Sequence, residues 1–209
     1  MADLAHEFIA ALHAGRACLH PTDTLPGLTF DPSSPAGRRA VDEIKGRAEE
    51  KPFLALVCSL AKARRFFAPL PPAWDRALGE LWPGPLSVVW QASPKAPAAL
   101  VATDGTMGLR VPRLPVESAW FRAVLEGVGV PLPTTSVNRS GEPPARSFDD
   151  AAVRLTGHGN AFVPRWAGLP PTGEQPSTIV QLFADGRFKV LRQGALPLAR
   201  LTGIAEEVV

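Results

Sequence analysis

Leu4, Phe8 and Leu12 recur at i, i+4 and i+8 between Asp3 and His13, the spacing that aligns one face of an α-helix. Asp3 serves as an N-cap and Gly15 as a stop, so the pattern predicts an amphipathic helix over Asp3–His13. The period then changes. Ala17-Cys18-Leu19 is a short unbroken apolar run that empties into His20-Pro21-Thr22-Asp23-Thr24, a strand leading into a polar loop that runs to Leu28. Ser34-Pro35 opens a second helix whose inner face carries Val41 and Ile44. Phe53 to Val57, bounded by Pro52 and Ser59, reads as a buried strand.

Helices are predicted over Leu60–Phe67 and Pro72–Trp82, and Pro83-Gly84-Pro85 stops the second before a strand at Leu86–Gln91. Met107–Val111 reads as a strand, Ser118–Glu126 as a helix, Leu132–Thr135 as a short strand and Asp149–Leu155 as a helix. Two late apolar runs, Thr178–Phe183 and Phe188–Arg192, flank Asp185-Gly186, a hairpin signal. Strands and helices alternate without a fixed period and the last strands pair as a hairpin. The fold class is therefore α/β, with a mixed, twisted open sheet covered by helices. No repeat or interdomain linker interrupts the pattern, and residues 1–209 read as one domain.

Composition adds mainly exclusions. Hydrophobic residues at 45% of the 209 positions rule out a disordered chain. A net charge of +2, from 22 Lys+Arg against 20 Asp+Glu, is too small to argue for nucleic acid on its own. Cys18 and Cys58 have no metal-ligand spacing and sit in apolar stretches, so they read as core residues of a protein in a reducing compartment. The four histidines are too scattered for a metal site, and His6 and His13 read as helix-surface residues. Trp74, Trp82 and Trp90 read as core or rim residues. No signal peptide precedes Asp3 and Glu7, and no eighteen apolar residues run together, so the expectation is a cytoplasmic protein without a membrane span.

Three polar clusters carry the candidate chemistry. The loop His20–Leu28 brings Thr22, Asp23 and Thr24 to a strand end, where α/β folds place ligands; it reads equally as a turn closed by its own side chains. Lys45-Gly46-Arg47, with Lys51 four residues on, pairs a point charge with a planar fork. If extended, both cations share one face and suit a polyphosphate; the alternative is a solvated helix end. Ser136, Asn138 and Ser140 alternate after a strand, as donors and acceptors for phosphates or hydroxyls, or as a plain turn. Arg110 and Arg192 lie on apolar strands, where a cation is paired with a carboxylate or binds an anion. There is no GxxxxGK[ST] loop, no GxGxxG after a strand and no HExxH, hence no evident nucleophile, general base or metal cage.

In order along the chain, these segments resemble the YrdC/Sua5 family of threonylcarbamoyl-AMP synthases, over roughly Gly15 to Gly194. The PTDT-x-x-GL motif is Pro21-Thr22-Asp23-Thr24-Leu25-Pro26-Gly27-Leu28, KxR with its KP step is Lys45-Gly46-Arg47 and Lys51-Pro52, and WPGPLT appears as Trp82-Pro83-Gly84-Pro85-Leu86-Ser87. RxP is Arg110-Val111-Pro112, SxN-x-SG is Ser136-Val137-Asn138-Arg139-Ser140-Gly141, the late ST is Ser177-Thr178 and LRxG is Leu191-Arg192-Gln193-Gly194. The resemblance implies an open twisted α/β sheet with a basic concave cavity. It implies synthesis of L-threonylcarbamoyl-adenylate from L-threonine, bicarbonate or CO2, and ATP, with release of pyrophosphate. The product feeds the threonylcarbamoyl modification of adenosine 37 in tRNA. By motif, Lys45 and Arg47 would be catalytic, and these two with Lys51, Ser87, Ser136, Asn138, Ser140 and Arg192 would hold ATP. Thr22, Thr24, Arg110 and Ser177 would hold L-threonine. Mg2+ would arrive with the nucleotide, and no protein-made metal site is expected. The tRNA and a downstream transferase complex are possible partners under this resemblance.

Three positions depart from the family pattern: Pro26 stands where a tyrosine is usual, Ser87 where threonine is, and Val137 where alanine is. The chain ends soon after Arg192, as expected of the short form without the additional C-terminal domain. Two further readings stay open at this level. One is a non-catalytic RNA-binding module on the same fold, which intact KxR and SxN motifs disfavour. The other is the carbamoyl-transfer chemistry of hydrogenase-maturation proteins, disfavoured by the lack of a fused acylphosphatase or zinc-finger region.

Overall fold

The computed structural model describes residues 2–46, 53–166, 173 and 175–208. Helix α1 (Ala2–His13) turns at Gly15, where a φ of 70° suits glycine, and delivers the chain into strand β1 (Ala17–His20). Strand β2 (Gly27–Thr29) folds back antiparallel on β1 inside the segment expected to be a loop. Three residues are too few to show a period of two, so hydrogen bonding to β1 on one side and β6 on the other defines this strand.

Helix α2 (Pro35–Lys45) is capped by Ser34, which accepts from the Gly37 N–H at 3.1 Å, and ends on Gly46 at a left-handed φ of 58°. After β3 (Leu54–Leu56) come α3 (Leu60–Phe66) and α4 (Pro72–Leu81), then β4 (Leu86–Gln91) and β5 (Thr106–Arg110). Helix α5 (Ala119–Gly127), strand β6 (Leu132–Ser136) and helix α6 (Phe148–Arg154) follow. The chain closes with β7 (Ala161–Phe162), the hairpin β8 (Thr178–Leu182) and β9 (Phe188–Arg192), and the short α7 (Ala199–Thr202). The hairpin falls where Asp185-Gly186 predicts it, with Gly186 at a φ of 89°. Strand β7 lacks a sequence signal because only two residues pair with β1.

Among the described residues the strands form one mixed sheet in the order β7-β1-β2-β6-β3-β5-β4-β8-β9. Alternation sorts side chains between two faces. Ala55, Met107, Leu109, Val88 and Val180 point into one core with Phe66, Trp74, Leu78 and Leu201, from α3, α4 and α7. A second core joins Leu19 and Leu28 to α2 and α6, and a third packs Phe8, Trp120 and Phe121, from α1 and α5, against Cys18, Leu56 and Leu132. The face opposite the first core, carrying Leu54, Arg110, Ser87 and Ile179, lines the cavity described next.

Trp74, Trp82 and Trp90 are buried, His6 and His13 exposed, and Val137 turns into the second core. Cys18 is fully buried, and burial pushes its thiol up to about 12, so it serves as a small apolar residue; Cys58 is partly buried against the third core. Among the described residues no helix is long and apolar enough to cross a membrane.

Candidate active site

A cavity of about 470 Å³ opens on that uncovered sheet face. Its floor is Leu54, Leu56 and Ile179, and its polar lining is drawn from along the chain: Thr22, Thr24, Ser87, Arg110, Thr134, Ser136, Ser177 and Arg192.

Arg110 anchors one half. It is only 5% exposed, and its Nε donates to the Gly84 carbonyl at 3.0 Å, one terminal nitrogen to Thr24 Oγ1 at 2.8 Å and the other to the Asp23 carboxylate. A guanidinium has five N–H bonds, so two remain for a ligand. Burial pushes the Asp23 carboxyl up and the Arg110 guanidinium down, and each is drawn back toward its charged form by the other. The carboxylate-paired reading of this arginine therefore holds, and the same guanidinium lines the cavity.

Hydroxyl directions around it follow from counting protons. Thr22 Oγ1 donates to the Leu25 carbonyl at 2.7 Å, so the 3.0 Å contact between the two threonine hydroxyls is donated by Thr24. Thr22 Oγ1 also accepts the Thr24 N–H at 3.0 Å. The loop is thus an ST-turn that closes itself and a ligand wall as well. Pro26 lines the cavity as a buried pyrrolidine ring.

On the strand next to Arg110, Ser87 shares a hydrogen bond of 2.9 Å with Ser177. Arg192 lays Nε and one terminal nitrogen on the Ser177 carbonyl at 3.1 and 2.9 Å, the latter nitrogen also reaching Ser177 Oγ at 3.3 Å. Burial draws its guanidinium down, and no carboxylate pairs with it among the described residues. Gly194 makes this approach possible: a Cβ there would lie 2.2 Å from the Pro176 carbonyl oxygen.

The third cluster corrects an expectation. Lys45 is neither on an extended segment nor at a solvated helix end. It is the last residue of α2, is buried, and donates its Nζ to the Ser136 carbonyl and to Asn138 Oδ1, both at 2.9 Å. Gly46 caps the helix at a left-handed φ of 58°, and Arg47 and Lys51 lie outside the described residues. Ser136 Oγ donates to Asn138 Oδ1 at 2.5 Å, and Asn138 Nδ2 donates to the carbonyls of Arg139 and Glu142, both at 2.8 Å. Both amide donors of Asn138 are thereby used. The Ser140 N–H ties to the Lys45 carbonyl at 2.8 Å. Ser136 is among the residues that line the cavity, and Lys45, Asn138 and Ser140 are not; Asn138 holds the Lys45 ammonium and the Ser140 N–H its backbone carbonyl.

Two pairings escape a reading of the sequence, although His20 and Asp23 stand in a loop that it singles out. Asp23 is there a loop residue, and its pairing with Arg110, 87 positions away, follows from the fold. His20 and Thr134 meet at 3.0 Å across 114 positions. The signal available for them is weak: a histidine ending one strand and a hydroxyl in the middle of another.

The chain is similar to the Sua5/YciO/YrdC proteins. The family model of that name, described as telomere recombination, matches residues 10–194, and the chain belongs to this family. It is 32% identical over 179 residues to the threonylcarbamoyl-AMP synthase of Halorhodospira halophila, covering 85% of this chain and 87% of that one. It is 29% identical to the mouse (Mus musculus) threonylcarbamoyl-AMP synthase, over 95% of this chain and 69% of the relative. Among solved structures, P. abyssi Sua5 complexed with L-threonine superposes with a TM-score of 0.78 at 25% identity, over 96% of this chain and 58% of that one. E. coli YciO shares the fold at a TM-score of 0.80 and 19% identity, over 96% and 93% of the two chains.

Proposed function

We propose that this protein is a threonylcarbamoyl-AMP synthase, which joins L-threonine, bicarbonate or CO2, and ATP into L-threonylcarbamoyl-adenylate and releases pyrophosphate, for modification of tRNA. The observation that carries the reading is the cavity itself. Arg110 with Thr24, and Arg192 with Ser177 and Ser87, line a single space, and no described lining residue is a carboxylate. The relatives named threonylcarbamoyl-AMP synthase and the threonine-bound Sua5 structure support the same assignment.

In this reading the two remaining N–H bonds of Arg110 take the threonine carboxylate, with Thr22, Thr24 and Ser177 around the side chain. The amine attacks CO2 to give a carbamate, whose oxygen then attacks the α-phosphate of ATP as pyrophosphate leaves. Neither bond-forming step needs a protein nucleophile. The protein contributes positioning and positive charge. Arg192, Ser136, Ser87 and Lys45 face the phosphates, joined by Arg47 and Lys51, while Asn138 and Ser140 hold Lys45 in place. Mg2+ would come with the nucleotide and would add positive charge at the phosphates beside Arg192 and Lys45.

The test is pyrophosphate release that requires both L-threonine and bicarbonate. Lys45→Ala should lower turnover at least tenfold, about 1.4 kcal/mol or more in the barrier. Tight RNA binding with no threonine-dependent ATP use would replace the enzyme by a binding module.

A further inference from the structure

His20 is fully buried below the cavity wall, and its surroundings fix which nitrogen holds the proton. Its ring stacks on Phe121, with centroids 4.7 Å apart and planes at 12°. Nδ1 lies 3.1 Å from the Pro21 carbonyl, which can only accept, so Nδ1 carries the hydrogen. In a neutral ring Nε2 is then bare, and the 3.0 Å contact from Thr134 Oγ1 is donated by the hydroxyl. The approach depends on Gly27: a Cβ there would sit 2.5 Å from His20 Nε2 and 2.9 Å from Thr134 Oγ1.

Thr134 lines the cavity on the same wall as Thr24, Gly27 and Arg110. Its single hydrogen is spent on His20, so only lone pairs face the space. The cavity is otherwise rich in N–H donors, and its described lining has no carboxylate to meet an amine. We propose that His20 is a positioning residue that turns the Thr134 hydroxyl into an acceptor for an N–H of the substrate amine. This rests on the amino-acid reading given under Proposed function, and it adds a specificity contact to it. The choice of a neutral acceptor has a chemical reason. A carboxylate at that place would stabilise the ammonium form, which has no lone pair for attack on CO2, whereas a hydroxyl orients the nitrogen without a full opposing charge. Burial pushes the imidazole down to about 4, the Pro21 carbonyl opposes this, and the nearby Arg110 charge adds to it, so the ring stays neutral at working pH.

The test uses the whole chain and five forms: wild type, Thr134→Val, Thr134→Ser, His20→Phe and the double variant His20→Phe, Thr134→Val. Nitrogen-15 NMR of the histidines should show His20 protonated at Nδ1 and bare at Nε2 from about pH 5 to 8. In calorimetric titrations Thr134→Val should bind L-threonine about tenfold more weakly, with ATP affinity changed less than about twofold. Thr134→Ser should restore L-threonine affinity to within about threefold of wild type. His20→Phe should cost part of the Thr134→Val loss and add nothing to it in the double variant, as a residue acting through Thr134 must. An Nε2–H tautomer, unchanged threonine binding in Thr134→Val, loss of ATP rather than threonine affinity, or additivity of the two substitutions would each overturn the proposal while leaving the synthase reading intact. A wild-type chain that binds ATP but no amino acid overturns both.

Discussion

Acidification should weaken the fold through His20, and a His20→Phe chain should lack that loss. The imidazole is fully buried and takes its proton only near pH 4, against 6.5 for an ordinary histidine. Between those values the unfolded chain binds the proton and the folded chain does not, so stability present above about pH 6.5 declines as pH falls and levels off below about 4. A separation of that size corresponds to about 3 kcal/mol, most of it lost by about pH 4.5. Carboxyls elsewhere in the chain with lowered pKa do not mimic this. Asp104, Asp150 and Asp185 are held down by hydrogen bonds, from Thr106, Arg154 and Arg187 respectively, and titrate below the window. The Asp23 carboxyl, pushed up by burial, acts in the opposite direction and is common to both chains. Urea titrations followed by tryptophan fluorescence, with Trp74 and Trp120 buried as reporters, give the stability of each chain at about pH 7 and about pH 4.5. The reasoning fails if wild type and His20→Phe lose equal stability over that interval.

Two other substitutions probe the frame of the cavity. Asp23→Ala leaves Arg110 buried without its carboxylate and should cost about 3–5 kcal/mol in denaturant titrations, with partial recovery in an Asp23→Ala, Arg110→Met double variant. Gly194→Ala places a methyl 2.5 Å from the Ser177 carbonyl carbon, and backbone must shift. A loss of about 1–3 kcal/mol is expected by the same measurement, and a normal midpoint would show that the turn yields freely.

The amphipathic and apolar segments were legible because each carries its own period. Phe8 and Leu12, or Met107 and Leu109, announce their partners locally. What escaped was short or distant. Strand β2 has three residues and β7 two, and each exists only because another strand offers a ladder. Within the site, Thr24, Arg110, Ser177, Ser87, Ser136 and Arg192 were named from motifs, and all line one space. Their division of labour was not visible. A sequence cannot tell that Asn138 spends its amide on its neighbours, or that Lys45 is pinned by a carbonyl 91 positions away. The polar wall is made by strand order, and strand order is a property of the whole chain.

That order has a consequence for how the protein is made. Strand β4 pairs with β5 on one side and with β8 on the other, and β8 alone brings β9 alongside. Chains emerge from the ribosome amino end first. Residues 86–91 can pair with residues 106–110 soon after synthesis, yet the other edge of β4 waits until residues 178–182 have appeared. During that interval Leu86 to Val89 form a bare, apolar strand edge, a template for pairing with another chain. Arrival of the terminal hairpin does two things at once. It closes the exposed edge, and it carries in Ser177 and Arg192, so the nascent protein stops being prone to association at the moment its binding wall is completed.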